Sequence, residues 1–590
     1  MVSPRRLPAL IAAPPDGLAV TGGHIVWDTL ARLGVTHVFG YPGGAILPTY
    51  DALPADGIRH VLVRHEQSAA HMADGFARAT GRVGVAMATS GPGATNLVTG
   101  IATAMMDGSP IVCITGQVSS HLLGLDAFQE VDITGVTMPI TKHNYLVTEA
   151  ARIAPTLAQA FDVATSGRPG PVLVDITKDA QQNVCRVGWD RTAPGPSQPQ
   201  PPGIDPPACA EALALIAAAK RPVILAGQGV LTSGASRLLR TFAERSGIPV
   251  ATTLLGIGGF PGSHPLSLGM VGMHGEAFVN HTVQEADLLL AFGMRFDDRA
   301  VGSVRGYAPG ARRVQVDVDA AEIGKTVRVD VGIVGDLAQV LRALLRGLEA
   351  GDRSDWLAEI QARRQSGRSR DIRNLPDDGV LHAAHVMHAL CRETRGGAVV
   401  CTDVGQHQMW EAQYYRHEHP RSLITSGGLG TMGFALPAAI GAKIARPDEE
   451  VWVVAGDGGF QMTSAELATV VQERLPLRIA VINNGYLGMV RQWQELFYGK
   501  RYTATPMVGP DFCKLAEAYG IAASRVDALA DVTPAIRAAR REPGPALVEF
   551  RVGPEDVVYP MVPADKSLHE MIRRPQPGPR RVVRRPMGGF

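Results

Sequence analysis

VWVVAGDGGFQMTSAELATVVQERLPLRIAVINNGYLGMV, residues 451–490, is the stretch around which the rest of the chain is read. Its apolar run 451–455 reads as a buried strand that breaks at Gly456-Asp457-Gly458-Gly459, and residues 464–472 then carry helical spacing. A second buried strand, 477–482, ends at Asn483-Asn484-Gly485. A carboxylate and a carboxamide therefore stand at the C-terminal ends of two strands, where open α/β sheets place their ligands. Both offer hard oxygen, which suits Mg2+, a cation that takes few protein ligands and lets phosphates complete its octahedral shell. Glycines beside Asp457 let backbone amides approach those phosphates. The other reading of a lone GDG is a strand-end turn with aspartate as a helix N-cap.

Working outward, the same strand, glycine turn and helix recur in three blocks, 20–190, 208–350 and 375–560. The pattern predicts an α/β protein of three doubly wound parallel-sheet domains. Residues 1–19 read as a flexible extension, since Pro4, Pro8, Pro14 and Pro15 interrupt a run too short for a signal peptide. Residues 190–207 are dense in proline and read as a linker, 351–379 are polar and Arg-rich and separate the second block from the third, and 561–590 form an Arg/Pro-rich tail expected to be disordered when free. Residues 169–176 (PGPVLVDI) echo 543–550 (PGPALVEF), a weak sign of kinship between the outer blocks.

At 590 residues the chain exceeds what one core sustains. With 45% apolar and 19% charged residues and a formal net charge of +1, it lacks the basic excess of a nucleic-acid binder. No long apolar run predicts a membrane span. Six scattered cysteines without a CxxC pair point to reduced thiols and a cytoplasmic setting.

GDG at 456–458 followed by Asn-Asn at 483–484 resembles the diphosphate and metal motif of thiamine-diphosphate enzymes. That resemblance implies Mg2+ held by Asp457, Asn484 and the Tyr486 carbonyl. RHEQSAAHMADGFARATG (64–81) with TSGPGATN (89–96) resembles the pyrimidine-binding domain of the same enzymes, in which one glutamate, here Glu66, bonds the aminopyrimidine ring. A carboxyl at ring N1′ favours the imino tautomer, whose nitrogen takes the proton from thiazolium C2. Standing alone, Glu66 would read as a first-turn acid satisfying a helix dipole.

DAFQE (126–130), TKH (141–143), RPGPVLVDITKD (168–179), LLLAFGMRFDDR (288–299) and VDVDAAEIGK (316–325) narrow the resemblance to the catalytic subunits of acetohydroxyacid synthases, also called acetolactate synthases. The likeness covers roughly 20–570. It implies a pyrimidine-binding first domain, a central FAD-binding domain and a diphosphate-binding third domain. Phe128, Gln129 and Lys178 would line the substrate approach, Met432 would be the apolar wedge that bends the coenzyme, and Met489 and Trp493 would shape the acceptor pocket. Thiamine diphosphate would further touch Pro42, Gly43, Asn96, Gln406, His407, Gly430, Gly458, Gly459, Leu487 and Gly488. FAD would lie across Arg168, Gly227, Gly229, Thr253, Leu254, Met273, His274, Gly293, Arg295, Asp297, Asp317, Val318, Asp336, Leu337, Gly427 and Gly428. Arg295 pairing with Asp297 or Asp298, and Met489, Val490 and Trp493 forming a buried helix face, are the structural alternatives. Leu125 departs from the small polar residue the family often shows there.

The implied activity is condensation of two pyruvates to 2-acetolactate and CO2, or of pyruvate with 2-oxobutyrate, at the first common step of branched-chain amino-acid biosynthesis. A homodimer or homotetramer with a small regulatory subunit is implied with it, and neither nucleic acid nor membrane. A flavin-dependent pyruvate oxidase, or another thiamine-diphosphate decarboxylase or carboligase, is the rival activity. Glyoxylate carboligase lacks the glutamate that Glu66 supplies, a silent binding protein would have lost Glu66, Asp457 or Asn484, and GQG at 227–229 falls short of a nicotinamide fingerprint.

Overall fold

Apolar runs without alternation, such as VILA at 223–226 and WVVA at 452–455, can be buried only as strands covered on both faces, which parallel sheets with crossover helices provide. The computed structural model describes residues 19–186 and 203–576, so the extension 1–18, the linker stretch 187–202 and the tail 577–590 lie outside the described residues. Three six-stranded sheets result, and every pairing within them is parallel. A short antiparallel pair, Ala19–Thr21 with Val184–Arg186, ties the two ends of the first block together.

The first sheet uses His37–Gly40, Arg59–Leu62, Gly84–Ala88, Ile111–Gln117, His143–Val147 and Val172–Thr177. Counted along the chain, they lie in the order 2-1-3-4-6-5. The third sheet repeats that order with Val399–Thr402, Leu423–Thr425, Val451–Gly456, Arg478–Asn483, Ala522–Val526 and Ala546–Arg551. The two PGP echoes thus lead into the sixth strand of each sheet, at the same lateral place. The middle sheet, from Pro222–Ala226 to Val331–Val334, has the order 3-2-1-4-5-6.

Strand order reverses beside the first strand of every sheet, and there the helices leave on opposite faces and open a crevice. In the first sheet it opens between the ends of His37–Gly40 and Gly84–Ala88, at Pro42-Gly43 and the turn before Asn96. In the third it opens between Val399–Thr402 and Val451–Gly456, at Gln406-His407 and Asp457. In the middle sheet it opens between Pro222–Ala226 and Leu288–Phe292, at Gly227, Gly229 and Gly293.

By their contacts the three sheet domains group into two compact units. One joins the described residues of 1–203 to Ala389–Glu411 and His417–Pro554; the other holds Ile204–His388, Ala412–Arg416 and the described residues from Glu555. In the first unit the first and third sheets share one apolar core, running from Phe39 and Ile111 through Phe434 to Val453 and Ile479. Its centre is the contact between helices Glu66–Thr80 and Ala435–Ala445, whose small residues let their backbones meet. A Cβ on Gly75 would stand 2.1 Å from the Ala438 carbonyl oxygen, and one on Gly441 1.9 Å from that of Met72, so only glycine fits at either place.

The polar stretch 351–379 contains a helix, Ser354–Ser366, whose Trp356 and Ile360 are buried in the second unit. The described part of the tail packs onto that unit: Met561 pairs with Ile572, and Leu568 is buried. Residues 464–472 are helical as read, in the short turn Ser464–Glu466 and the helix Leu467–Gln472, and a further helix, Asp457–Thr463, precedes them and begins at Asp457 itself. Among the described residues no helix is long and apolar enough to cross a membrane.

Candidate active site

Glu66 opens the helix Glu66–Thr80, where the ring of His65 accepts from Gln67 N–H and Gly81, at φ +77°, ends the last turn. Asn96 Nδ2 donates to Glu66 Oε2 at 2.9 Å, so this carboxamide, expected to face the coenzyme, orients the acid. Gly43 lies against Thr89, which receives the Ala45 amide at 3.2 Å and joins the two turns of the crevice. Phe128 is 89% exposed and Leu125 67% exposed, on a loop in which Gln129 has φ +60° and its backbone abuts Gly91. Lys178 is half-buried at the start of the helix Lys178–Gln182.

In the third sheet Asp457 is 3% exposed and has no ion pair among the described residues. Burial raises its carboxyl to about 6, against the pull of amides at Gly458, Asn484 and Gly485 that favour the anion. Asn484 Oδ1 accepts from Tyr486 N–H at 3.0 Å, closing a turn that Leu487 N–H extends by donating to the Thr505 carbonyl at 2.9 Å. A buried, unpaired carboxylate beside a carboxamide oxygen and a turn carbonyl is a donor set that fits a small divalent cation.

Gln406 Nε2 donates to Gln492 at 2.9 Å, and Asn484 Nδ2 donates to Gln406 Oε1 at 3.3 Å. Gln406 is therefore engaged with the metal-motif asparagine. His407 Nε2 accepts the Gly456 amide at 3.2 Å, which leaves Nδ1 as the protonated nitrogen, and burial holds the ring neutral with its pKa lowered to about 4. Met432, Leu487 and Met507 converge on the bare face of Gly458 and make an apolar wall. Gly430 takes φ +72° and Gly459 abuts Asp403.

The helix Gly488–Phe497 is oriented unlike a core helix. Its buried residues are Arg491 and Gln492, whereas Met489 and Trp493 are half-buried and Val490 exposed, which removes the buried-face alternative. Arg491 stacks on Tyr502 and Tyr486, with 4.4 and 5.0 Å to the ring centres.

Within the second unit, Gly229 N–H donates to Gly293 O at 3.0 Å, and a Cβ on Gly229 would lie 2.5 Å from Gly293 Cα, so these glycines serve backbone-on-backbone packing at the crevice. Thr253 N–H donates to Ala226 O at 3.0 Å, and Leu254 follows in a short turn of helix. Met273 N–H donates to Arg299 O at 2.7 Å. His274 is buried, its Nδ1 is 3.1 Å from Pro560 O, and its pKa is lowered to about 4. Arg295 is half-buried with no ion pair among the described residues, while Asp298 pairs with Arg299 at 3.5 Å, so the structural alternative for Arg295 falls away. Asp297 caps the turn 298–301 through Arg299 and Ala300 N–H, Asp317 accepts from Asp319 N–H at 3.0 Å beside half-buried Val318, and Asp336 caps Leu337–Gly347. Leu337 lies in the core. An unpaired guanidinium beside a glycine crevice fits an anionic dinucleotide.

In the first unit Arg168, Gly427 and Gly428 meet at one place. Arg168 donates to Met106 O at 2.8 Å, and the amides of Gly427 and Gly428 donate to the Asp107 carboxylate at 3.2 and 2.6 Å. Asp107, Asp403, Gln492 and Met507 escaped the sequence reading. Asp403 alone carried a signal, since it stands at a strand end on the crevice; buried, it accepts twice from Gly433 N–H, next to Met432. One acid and thiol cluster, Asp511, Cys513 and Glu549, is already bridged by Arg525, 2.7 Å from both carboxylates, and so holds a guanidinium.

Two crevices of like topology in one unit, with an acid at one and a divalent-cation donor set at the other, define a class. Family models describe it: the N-terminal TPP binding domain of thiamine pyrophosphate enzymes matches residues 20–136, their central domain 209–344 and their C-terminal TPP binding domain 403–550. Full-length similarity goes further. The chain is 49% identical to an acetolactate synthase of Mycobacterium bovis, covering 94% of this chain and 91% of that one. It is 48% identical to an acetolactate synthase large subunit of Corynebacterium glutamicum, with 95% and 92% covered, and 46% identical to one of Parasynechococcus marenigrum, with 94% and 91% covered. The chain belongs to the acetolactate synthase large-subunit family of thiamine-pyrophosphate enzymes.

Proposed function

We propose that this chain condenses two pyruvates to 2-acetolactate and CO2, or pyruvate with 2-oxobutyrate to 2-aceto-2-hydroxybutyrate. The observation that carries the reading is the matched pair of crevices in the first unit. One presents Glu66 oriented by Asn96, and the other presents Asp457, Asn484 and the Tyr486 carbonyl. Thiamine diphosphate, when bound, supplies a carbon nucleophile and an electron sink for decarboxylation.

The chain's own residues do the rest. Glu66 holds a proton at ring N1′. Asp457, Asn484 and Tyr486 would hold Mg2+ against the diphosphate, with Gln406 and His407 at the strand end that faces it. Met432 and Met489 would exclude water, joined by Phe128 where a second copy covers its exposed loop, which favours loss of CO2 because the carboxylate charge is dispersed in that step. Gln129 and Lys178 line the substrate approach, and Trp493 favours 2-oxobutyrate as acceptor. Within the second unit Gly227, Gly229 and Arg295 would hold FAD, in a structural role since no net redox change occurs. The acid and the metal donor set lie at separate crevices, and the proposal includes a homodimer or homotetramer whose sites draw acid and metal from different copies. A small regulatory subunit and a cytoplasmic location complete the proposal.

Purified protein given pyruvate, Mg2+, thiamine diphosphate and FAD should form acetolactate without consuming oxygen. Glu66→Gln should slow it by about 10²–10⁴-fold, the usual worth of a positioned proton-transfer group. A Glu66→Gln protein as fast as the parent overturns the reading, and oxygen uptake selects the oxidase.

A further inference from the structure

Glu466 plays no part in the chemistry above, yet it is 1% exposed and fully engaged. It ends the short turn Ser464–Glu466 that follows the helix Asp457–Thr463, so it is carried on the segment that leaves the metal motif. Its Oε1 accepts two backbone amides of the first block, Arg64 N–H at 2.9 Å and His65 N–H at 3.1 Å. Its Oε2 accepts from Thr469 Oγ1 at 2.7 Å. The neighbouring contacts bind the same two segments: Arg64 Nη2 donates to Gln472 at 2.9 Å and Thr469 Oγ1 lies 3.3 Å from the Leu62 carbonyl.

Arg64 and His65 are the two residues immediately before Glu66. A carboxylate that receives both their amides fixes the entry of the helix Glu66–Thr80, and with it the height and tilt at which Glu66 leaves the chain. Asn96 orients the far end of the Glu66 side chain, and among the described residues no other hydrogen bond grips the two amides ahead of it. An isolated acid buried for packing alone would be costly, and this one has both oxygens occupied, so its cost is offset by the bonds it makes.

We infer that Glu466 is the positioning residue for Glu66: its carboxylate, carried beyond the metal motif, anchors the two amides ahead of the catalytic acid and sets where that acid meets the coenzyme ring. The inference rests on the assignment of Glu66 above. A displacement of the acid by an ångström degrades proton transfer while substrate binding stays intact, so the loss falls on kcat rather than on the pyruvate KM.

The test uses the full chain loaded with thiamine diphosphate, Mg2+ and FAD. It reads deuterium exchange at the C2 carbon of the bound coenzyme, together with kcat and the pyruvate KM. Glu466→Ala should slow exchange and kcat by about 10–100-fold with KM within about twofold. Glu466→Gln should restore most of the rate, because its carboxamide oxygen still accepts both amides. In a Glu66→Gln background, Glu466→Ala should cost less than about twofold more, since residues acting through one group are not additive. If the alanine variant does not fold, Glu466→Asp, whose acceptor is drawn back by a methylene, takes its place in both backgrounds. Equal losses in the two backgrounds, a glutamine variant as slow as alanine, or no loss at all overturns the inference alone. A Glu66→Gln protein that exchanges at the parent rate overturns the assignment of Glu66 and this inference with it.

Discussion

Arg78 and Asp107 form a buried pair, with Nη2 2.8 Å from the carboxylate. Arg78 also holds Asp74 at 2.7 Å and the Thr425 carbonyl at 2.7 Å, while Asp107 receives the amides of Gly427 and Gly428. One guanidinium thus joins the helix Glu66–Thr80 to the end of Leu423–Thr425, the strand from which the turn 427–428 departs. Asp107→Ala leaves Arg78 paired with Asp74 but strands an N–H of its guanidinium and the amides of the turn, so it should destabilise the protein by about 1–3 kcal/mol, read as a lower denaturant midpoint.

The contact between helices Glu66–Thr80 and Ala435–Ala445 depends on missing side chains. Gly441→Ala would place a methyl 1.9 Å from the Met72 carbonyl oxygen, and the helices must part to admit it. A loss of about 1–3 kcal/mol is expected from overpacking, with a lower thermal midpoint as the measurement.

Asp175 gives the first unit a pH dependence. Its carboxyl, buried between Thr115 Oγ1 at 2.6 Å and Gln117 Nε2 at 2.9 Å, is raised by burial to about 7. A raised folded value means that the native state holds its proton more tightly than the unfolded chain, so this contribution is complete below about 4 and is lost as pH climbs through 7. Asp175→Asn stays neutral throughout. Its stability relative to the parent should improve as pH rises from 4 to 8 by an amount on the order of a few kcal/mol, measured by denaturation at each pH.

Arg295, half-buried and without an ion pair, should reveal the flavin site directly. Arg295→Ala should weaken FAD binding by about 10–100-fold, the worth of a charge-assisted hydrogen bond, as judged by flavin absorbance remaining after dialysis. Its thermal midpoint without FAD should match that of the parent.

The sequence by itself determined the elements that short-range chemistry writes. Apolar runs ending in Gly-Asp-Gly or Asn-Asn-Gly can only be buried strands stopping at polar turns, so the parallel sheets and the strand-end acids were legible, Asp457 and Glu66 among them. Spacing along the chain could not reveal which sheets share a core. That required Gly75 and Gly441 to meet backbones hundreds of residues away in sequence, and it merged the first and third blocks into one unit. Nor could periodicity tell that the helix Gly488–Phe497 buries Arg491 and Gln492 and turns Trp493 outward. Hydrophobic patterning assumes that the apolar stripe faces the core, and at a ligand crevice the buried side instead carries the polar groups that hold Asn484 and Gln406 in place. Long-range hydrogen bonds such as Asp107 to Gly428 and Glu466 to His65 have no local signature at all, because either carboxylate would satisfy its own neighbourhood equally well as a solvated charge. Tertiary packing removed the water and made each of them a fixed joint.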